Sequence, residues 1–135
     1  MGMESDYHAE IGFPDVDVPS GKYELKPTQH AKDESKTDEH GSFNLPSEIR
    51  LTKEMYERDP HEAVASQEGE KTLPHVFEIT TFKDQIIKVG VRMHYNDERD
   101  IVLVIKLGNS IVKTAWTIRK DNTHEDLNHS RYAKP

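Results

Sequence analysis

Residues 85–119 read QIIKVGVRMHYNDERDIVLVIKLGNSIVKTAWTIR, and the periodicity of this stretch decides the fold class. Ile87, Val89, Val91, Met93 and Tyr95 alternate with Lys88, Gly90, Arg92 and His94, the period of two that a half-buried strand requires. Residues 96–100 are polar and form a turn. Ile101 to Leu107, IVLVIKL, is apolar on both faces and predicts the central strand. Gly108 and Asn109 predict a tight hairpin, followed by a strand in which Val112, Thr114, Trp116 and Ile118 alternate with Ile111, Lys113, Ala115 and Thr117. With Val76 to Phe82 upstream, residues 75–135 are expected to hold an antiparallel sheet of about four strands and a polar tail.

Working outward toward the N-terminus, Tyr23 to Lys26 is a short extended piece stopped by Pro27. Thr28 is placed to cap a polar helix from Gln29 to about Glu39. A second helix is expected after Pro46, with Ile49, Leu51, Met55 and Tyr56 as its apolar stripe and Pro60 as its end. Residues 61–74 read as a loop, and residues 1–21 as an extended arm without a sustained period. The expected plan is α+β, with one domain over 22–135: a helical part at 22–60, the loop, and the sheet with its tail from 75.

Composition narrows the classes of function. Apolar residues make up 33% of the chain and charged residues 32%, with a mean hydropathy of -0.85. The net charge is -7, but residues 1–74 hold 8 Lys+Arg against 17 Asp+Glu, whereas residues 75–135 hold 10 against 8. Local potential steers a polyanion, so the C-terminal half stays eligible for RNA, and the acidic half for a protein partner. The chain has no cysteine, which excludes disulfides, thiolate chemistry and Cys-based zinc sites. No apolar run approaches a membrane span and no signal peptide is recognised, so a cytoplasmic location is expected.

The residues that can carry chemistry gather late in the sequence. Arg92 and His94 lie on the polar face of one strand, Lys113 and Thr114 on another, and the tail brings His124, Arg131 and Tyr132. No nucleotide loop, hydrolase elbow or metal-binding spacing occurs: His124 and His129 are five apart, off a common helical face. Neither a metal nor a cofactor is expected. Histidine, a cation and a hydroxyl suit metal-free RNA cleavage, which needs a base, charge neutralisation at phosphorus and an acid. The alternative is that Arg92, His94 and Lys113 form a solvated sheet face, with His30 and His124 ordinary surface residues.

The run LKPTQHAKDESKTDEHGSFNLPSEI, a strand leading into a His-starting helix, resembles the opening of small nucleases. VLVIKLGNSIVKTAW, followed by Thr-His, Leu and a closing Ser-Arg-Tyr, resembles phage-associated members of the Barnase, EndoU, colicin and RelE-type superfamily. The resemblance spans roughly residues 22–135. It implies an RNase-like α+β fold and metal-independent endoribonuclease activity in a phage or mobile-element effector. Transferred by position, it implies His30, Arg92, Thr114, His124 and Tyr132 as catalytic, with Lys113, Arg131 and His94 binding substrate. Where helices of that kind often carry Arg after the His, this one has Lys32, Asp33 and Glu34. The competing expectations are a non-enzymatic binding or assembly module and an acidic immunity-type inhibitor.

Overall fold

The computed structural model describes residues 18–65 and 70–122. Two sheets and three short helices occur in chain order: β1 (Gly21–Glu24), β2 (Lys26–Pro27), α1 (Gln29–Thr37), β3 (Glu48–Leu51), α2 (Lys53–Glu57), α3 (Pro60–Ala63), β4 (His75–Phe82), β5 (Gln85–His94), β6 (Arg99–Lys106) and β7 (Ile111–Arg119). The large sheet has the order β2-β7-β6-β5-β4, and β1 pairs with β3 in a separate antiparallel ribbon. The α+β plan is therefore observed, with IVLVIK at the centre of the sheet. The sheet is larger than a four-stranded meander because β2 adds a short parallel pairing to β7, Lys26 opposite Ile111 and Pro27 opposite Val112.

Alternation sorts the meander into two faces. Val89, Val91, Ile101, Leu103, Ile105, Val112 and Ala115 share one core with Leu25, Ala31, Ile49, Leu51, Met55 and Tyr56, so α1, α2 and the β1–β3 ribbon cover this face. Each fully buried Val or Ile there contributes about 1.5–3 kcal/mol relative to exposure. On the opposite face Phe77, Val102 and Ile118 form a smaller cluster with Trp116 against it. A bulge in β7 decides which residues join which face: Ile105 pairs with Val112 but Val104 pairs with Thr114, leaving Lys113 unpaired. Val112 and Thr114, expected on one face from strict alternation, therefore point to opposite faces.

Three further expectations are corrected. The stretch EIRL is strand β3, not a helix, because Ile49 and Leu51 are buried at a spacing of two while Glu48 and Arg50 are exposed. Helix begins only at Lys53. Pro60 starts α3 instead of ending its predecessor, with the Asp59 side chain accepting from the His61 amide. The β6–β7 connection is a turn over 107–110 with Ser110 in the left-handed region (φ 59), not a two-residue hairpin at Gly108-Asn109. Thr28 caps α1 as expected, its Oγ1 accepting from the Ala31 amide at 3.0 Å. Of the proposed N-terminal arm, residues 1–17 lie outside the described residues. Val18 packs against the core, and the Pro19 carbonyl accepts from the Tyr56 hydroxyl at 2.8 Å.

Candidate active site at the α1–β7 edge

Strand β7 has β6 on one side and, beyond the two residues of β2, helix α1 on the other. Unpaired strand amides in that position need acceptors. Glu34 Oε1 accepts from the Ala115 amide at 3.0 Å, and Asp38 Oδ1 accepts from the Thr117 amide at 3.0 Å. The geometry matches because four helical residues rise about 6.0 Å and two strand residues about 6.6 Å. Two carboxylates spaced i, i+4 thus stand in for the missing strand. The N-terminus of α1 is fixed to the same edge, since the Thr28 amide donates to the Val112 carbonyl at 3.1 Å and Thr28 Oγ1 donates to the Lys113 carbonyl at 3.3 Å.

This arrangement brings together three of the residues singled out from sequence. The Thr114 hydroxyl donates to Glu34 Oε1 at 2.5 Å, and His30 Nε2 stands 3.3 Å from Glu34 Oε2. His30 is 70% exposed at its side chain while Glu34 is 29% exposed, so the carboxylate is the inner member of a His–Glu–Thr string that opens to solvent at the imidazole. Lys113 is exposed beside it in the bulge. An imidazole with one ring nitrogen facing a carboxylate at ion-pair distance can present the other to accept a proton. Glu34 was not recognised from sequence; the available signal was a pair of acids spaced i, i+4 on a helix with little apolar surface. One turn on, the motif recurs: Asp38 also accepts from the Thr117 hydroxyl and lies 3.8 Å from both His40 Nδ1 and Arg99 Nη1.

Arg92 and His94 belong elsewhere. Both are on the opposite face from the main core, as alternation requires, but at their end of the sheet they do not form an open cationic surface. Arg92 is 0% exposed. Its Nε donates to Asp100 Oδ2 at 2.9 Å and its Nη2 to the Arg119 carbonyl at 3.2 Å, while Nη1 has no hydrogen-bond partner among the described residues. Asp100 also receives Lys120 Nζ at 2.6 Å and the Thr72 hydroxyl at 2.6 Å. His94 Nδ1 lies 3.0 Å from Lys120 Nζ, and because an ammonium only donates, that imidazole nitrogen accepts. Burial, then Lys120 and Lys71, hold His94 below the usual histidine range. The cluster is a buried charge network, and the physical reason Arg92 does not meet solvent is the carboxylate of Asp100, placed diagonally across the β5–β6 ladder.

His124, Arg131 and Tyr132 lie outside the described residues. Among the described residues no three His, Asp or Glu side chains gather to hold a metal ion, and no helix is long and apolar enough to cross a membrane. No family model, curated protein or solved structure matches the chain.

Proposed function

We propose that the chain is a metal-independent endoribonuclease, an RNase-like α+β effector of phage or mobile-element origin that acts on RNA in a cytoplasm. The observation that carries this reading is the His30–Glu34–Thr114 string beside the exposed Lys113. Its chemistry fits 2′-hydroxyl transesterification. His30 Nδ1 takes the 2′-hydroxyl proton, the 2′-oxygen bonds to phosphorus, and the P–O5′ bond breaks with a proton delivered to the departing 5′-oxygen. The products are a 2′,3′-cyclic phosphate and a 5′-hydroxyl. Glu34 positions the imidazole, Lys113 neutralises the phosphorane in place of the buried Arg92, and Thr114 fixes Glu34. The tail residues His124 and Tyr132 supply the acid, with Arg131 on the phosphate.

Purified protein incubated with total tRNA and ribosomal RNA in EDTA is expected to yield fragments ending in 2′,3′-cyclic phosphate. His30→Ala should slow cleavage by roughly 10²–10⁴-fold, the usual contribution of a general acid or base. Intact RNA after prolonged incubation, or cleavage by His30→Ala and His124→Ala at the wild-type rate, would sink the mechanism.

A further inference from the structure

We infer that a cross-strand row of lysines beside the His30–Glu34–Thr114 string is the track along which the phosphodiester backbone of single-stranded RNA lies, with Phe82 at one end as a base-stacking platform. The inference rests on the nuclease reading for its substrate class, and names the surface that holds that substrate.

The row follows from register. Thr80 of β4 pairs with Lys88 of β5, Lys88 with Lys106 of β6, Lys106 with Ile111 of β7, and Ile111 with Lys26 of β2. Residues paired directly across neighbouring strands share a face, so Lys88, Lys106 and Lys26 project from the same side of the sheet. It is the side that carries Thr114, whose partner Val104 lies two residues from Lys106. Lys113 adds a further exposed cation from the bulge, and α1 with His30 at its start follows Lys26 after Pro27 and Thr28.

Two properties set this row apart from ordinary solvated lysines. The first is the direct Lys88–Lys106 pairing, since like charges opposite one another in a ladder repel and weaken the pair. An anion laid across them reverses that sign. The second is that three of its four lysines lack an internal counter-ion among the described residues, a lack shared with Lys32, Lys36, Lys71 and Lys83 but here combined with alignment across the strands. Lys22 is paired with Glu48, Lys53 with Glu57 and Lys120 with Asp100, whereas Lys26, Lys106 and Lys113 make no ion pair among the described residues. The fourth, Lys88, has an acid on the adjoining rung, Glu78, within electrostatic reach. In a chain of net charge -7, such a row is the local positive potential a polyanion needs.

The aromatic member lies two residues beyond Thr80 on β4. Phe82 is 51% exposed, with Lys83 Nζ 5.3 Å from its ring centroid. Exposed aromatics flanking a basic groove hold single strands by stacking on any base. Phe82 therefore favours a nucleic acid with unpaired bases over an acidic protein.

The test uses the full chain and a fluorescein-labelled, 2′-O-methylated uridine decamer, which binds but cannot be cleaved. The Lys26→Gln/Lys88→Gln/Lys106→Gln variant should bind at least about tenfold more weakly, and its slope of log affinity against log salt should be shallower by about 2, near 0.7 for each lost phosphate contact. Phe82→Ala should weaken binding by about tenfold with the salt slope unchanged. Lys22→Gln/Lys53→Gln should behave as wild type, and all variants should melt no lower than it. A triple variant with wild-type affinity and slope overturns the track. Equal binding of a polyglutamate peptide, indifferent to Phe82→Ala, overturns RNA as the occupant. Cleavage of unmodified RNA, followed in parallel, separates the two readings: row-dependent binding without cleavage rejects the nuclease and keeps the track, and cleavage with row-independent binding does the reverse.

Discussion

Arg92 Nε and Asp100 Oδ2 are 2.9 Å apart with both side chains at 0% exposure, so the only charges that balance them are within the protein. Among the described residues Lys120 makes the cluster net positive around one carboxylate. Removing that carboxylate strands two cations.

Asp100→Ala should therefore destabilise the fold by about 3–5 kcal/mol, the range for breaking one side of a buried ion pair. The Arg92→Met/Asp100→Leu double variant should lose less than Asp100→Ala alone, because Lys120 can turn outward while apolar groups fill the space. Urea denaturation measures both. A single-variant loss below about 1 kcal/mol would show that water reaches the cluster.

The carboxylates that cover β7 make a residue-specific prediction. Glu34→Ala should accelerate hydrogen exchange at the Ala115 amide, and Asp38→Ala at the Thr117 amide, each leaving the other amide slow. The stability loss for each should be about 1–3 kcal/mol, the cost of an unsatisfied donor that is largely shielded from water. Exchange-mass spectrometry or NMR that finds both amides equally slow in both variants would contradict the edge assignment.

Acid sensitivity should come largely from His75. Burial lowers its pKa to about 4, with the neighbouring Arg92 acting in the same sense and the Leu73 carbonyl, at 2.8 Å from Nδ1, opposing. With the folded value below the unfolded one, the unfolded chain binds more protons between pH 6.5 and about 4. Stability from the neutral imidazole is complete above that window and falls through it as pH drops, by roughly 3 kcal/mol in all. His75→Asn, which keeps a donor for the Leu73 carbonyl, should flatten this part of the urea-stability profile. An unchanged profile would assign the acid transition to other groups.

Gly90 is where β5 meets the Phe77 ring. A Cβ there would come within 2.9 Å of Phe77 Cζ and 3.0 Å of Glu78 Cβ, both on the strand it pairs with. Gly90→Ala should cost about 1–3 kcal/mol by overpacking, read as a lower denaturation midpoint. Phe77→Leu in the same chain should recover part of that loss, and no recovery would point to a backbone cause.

How much of this could be read from sequence follows the range of each interaction. Strand β5 was legible because alternation runs from Ile87 to Tyr95, and β6 because its apolar run is bounded by turn residues, signals long enough to outvote any single side chain. Strand β3 was not, since Ile49 and Leu51 followed by Met55 and Tyr56 satisfy a helical stripe almost as well as a four-residue strand and a five-residue helix. Alternation placed Arg92 on the correct face, but its burial depended on Asp100, which sequence assigned to a turn. His30 and Thr114 were both named from sequence, whereas Glu34, the residue that joins them, entered only as a departure from a resembling pattern. A carboxylate that bonds a strand 80 positions away leaves only its i, i+4 spacing as a local trace, which does not name the partner.

Strand β7 and helix α1 are in effect geared to each other, the carboxylate teeth at Glu34 and Asp38 meshing with alternate amides of the strand. Gearing is intolerant of length. One uncharged residue inserted between Glu34 and Asp38 turns the second carboxylate by about 100° around the helix axis and off the edge, while leaving the net charge untouched. The connection over 39–47 is held in a different way, by Phe43 in the core and by Arg99 donating to the Gly41 and Ser42 carbonyls. An insertion within the helix should therefore unmesh the second carboxylate, so the four-residue interval, more than any one acid, is what makes α1 a substitute for a strand.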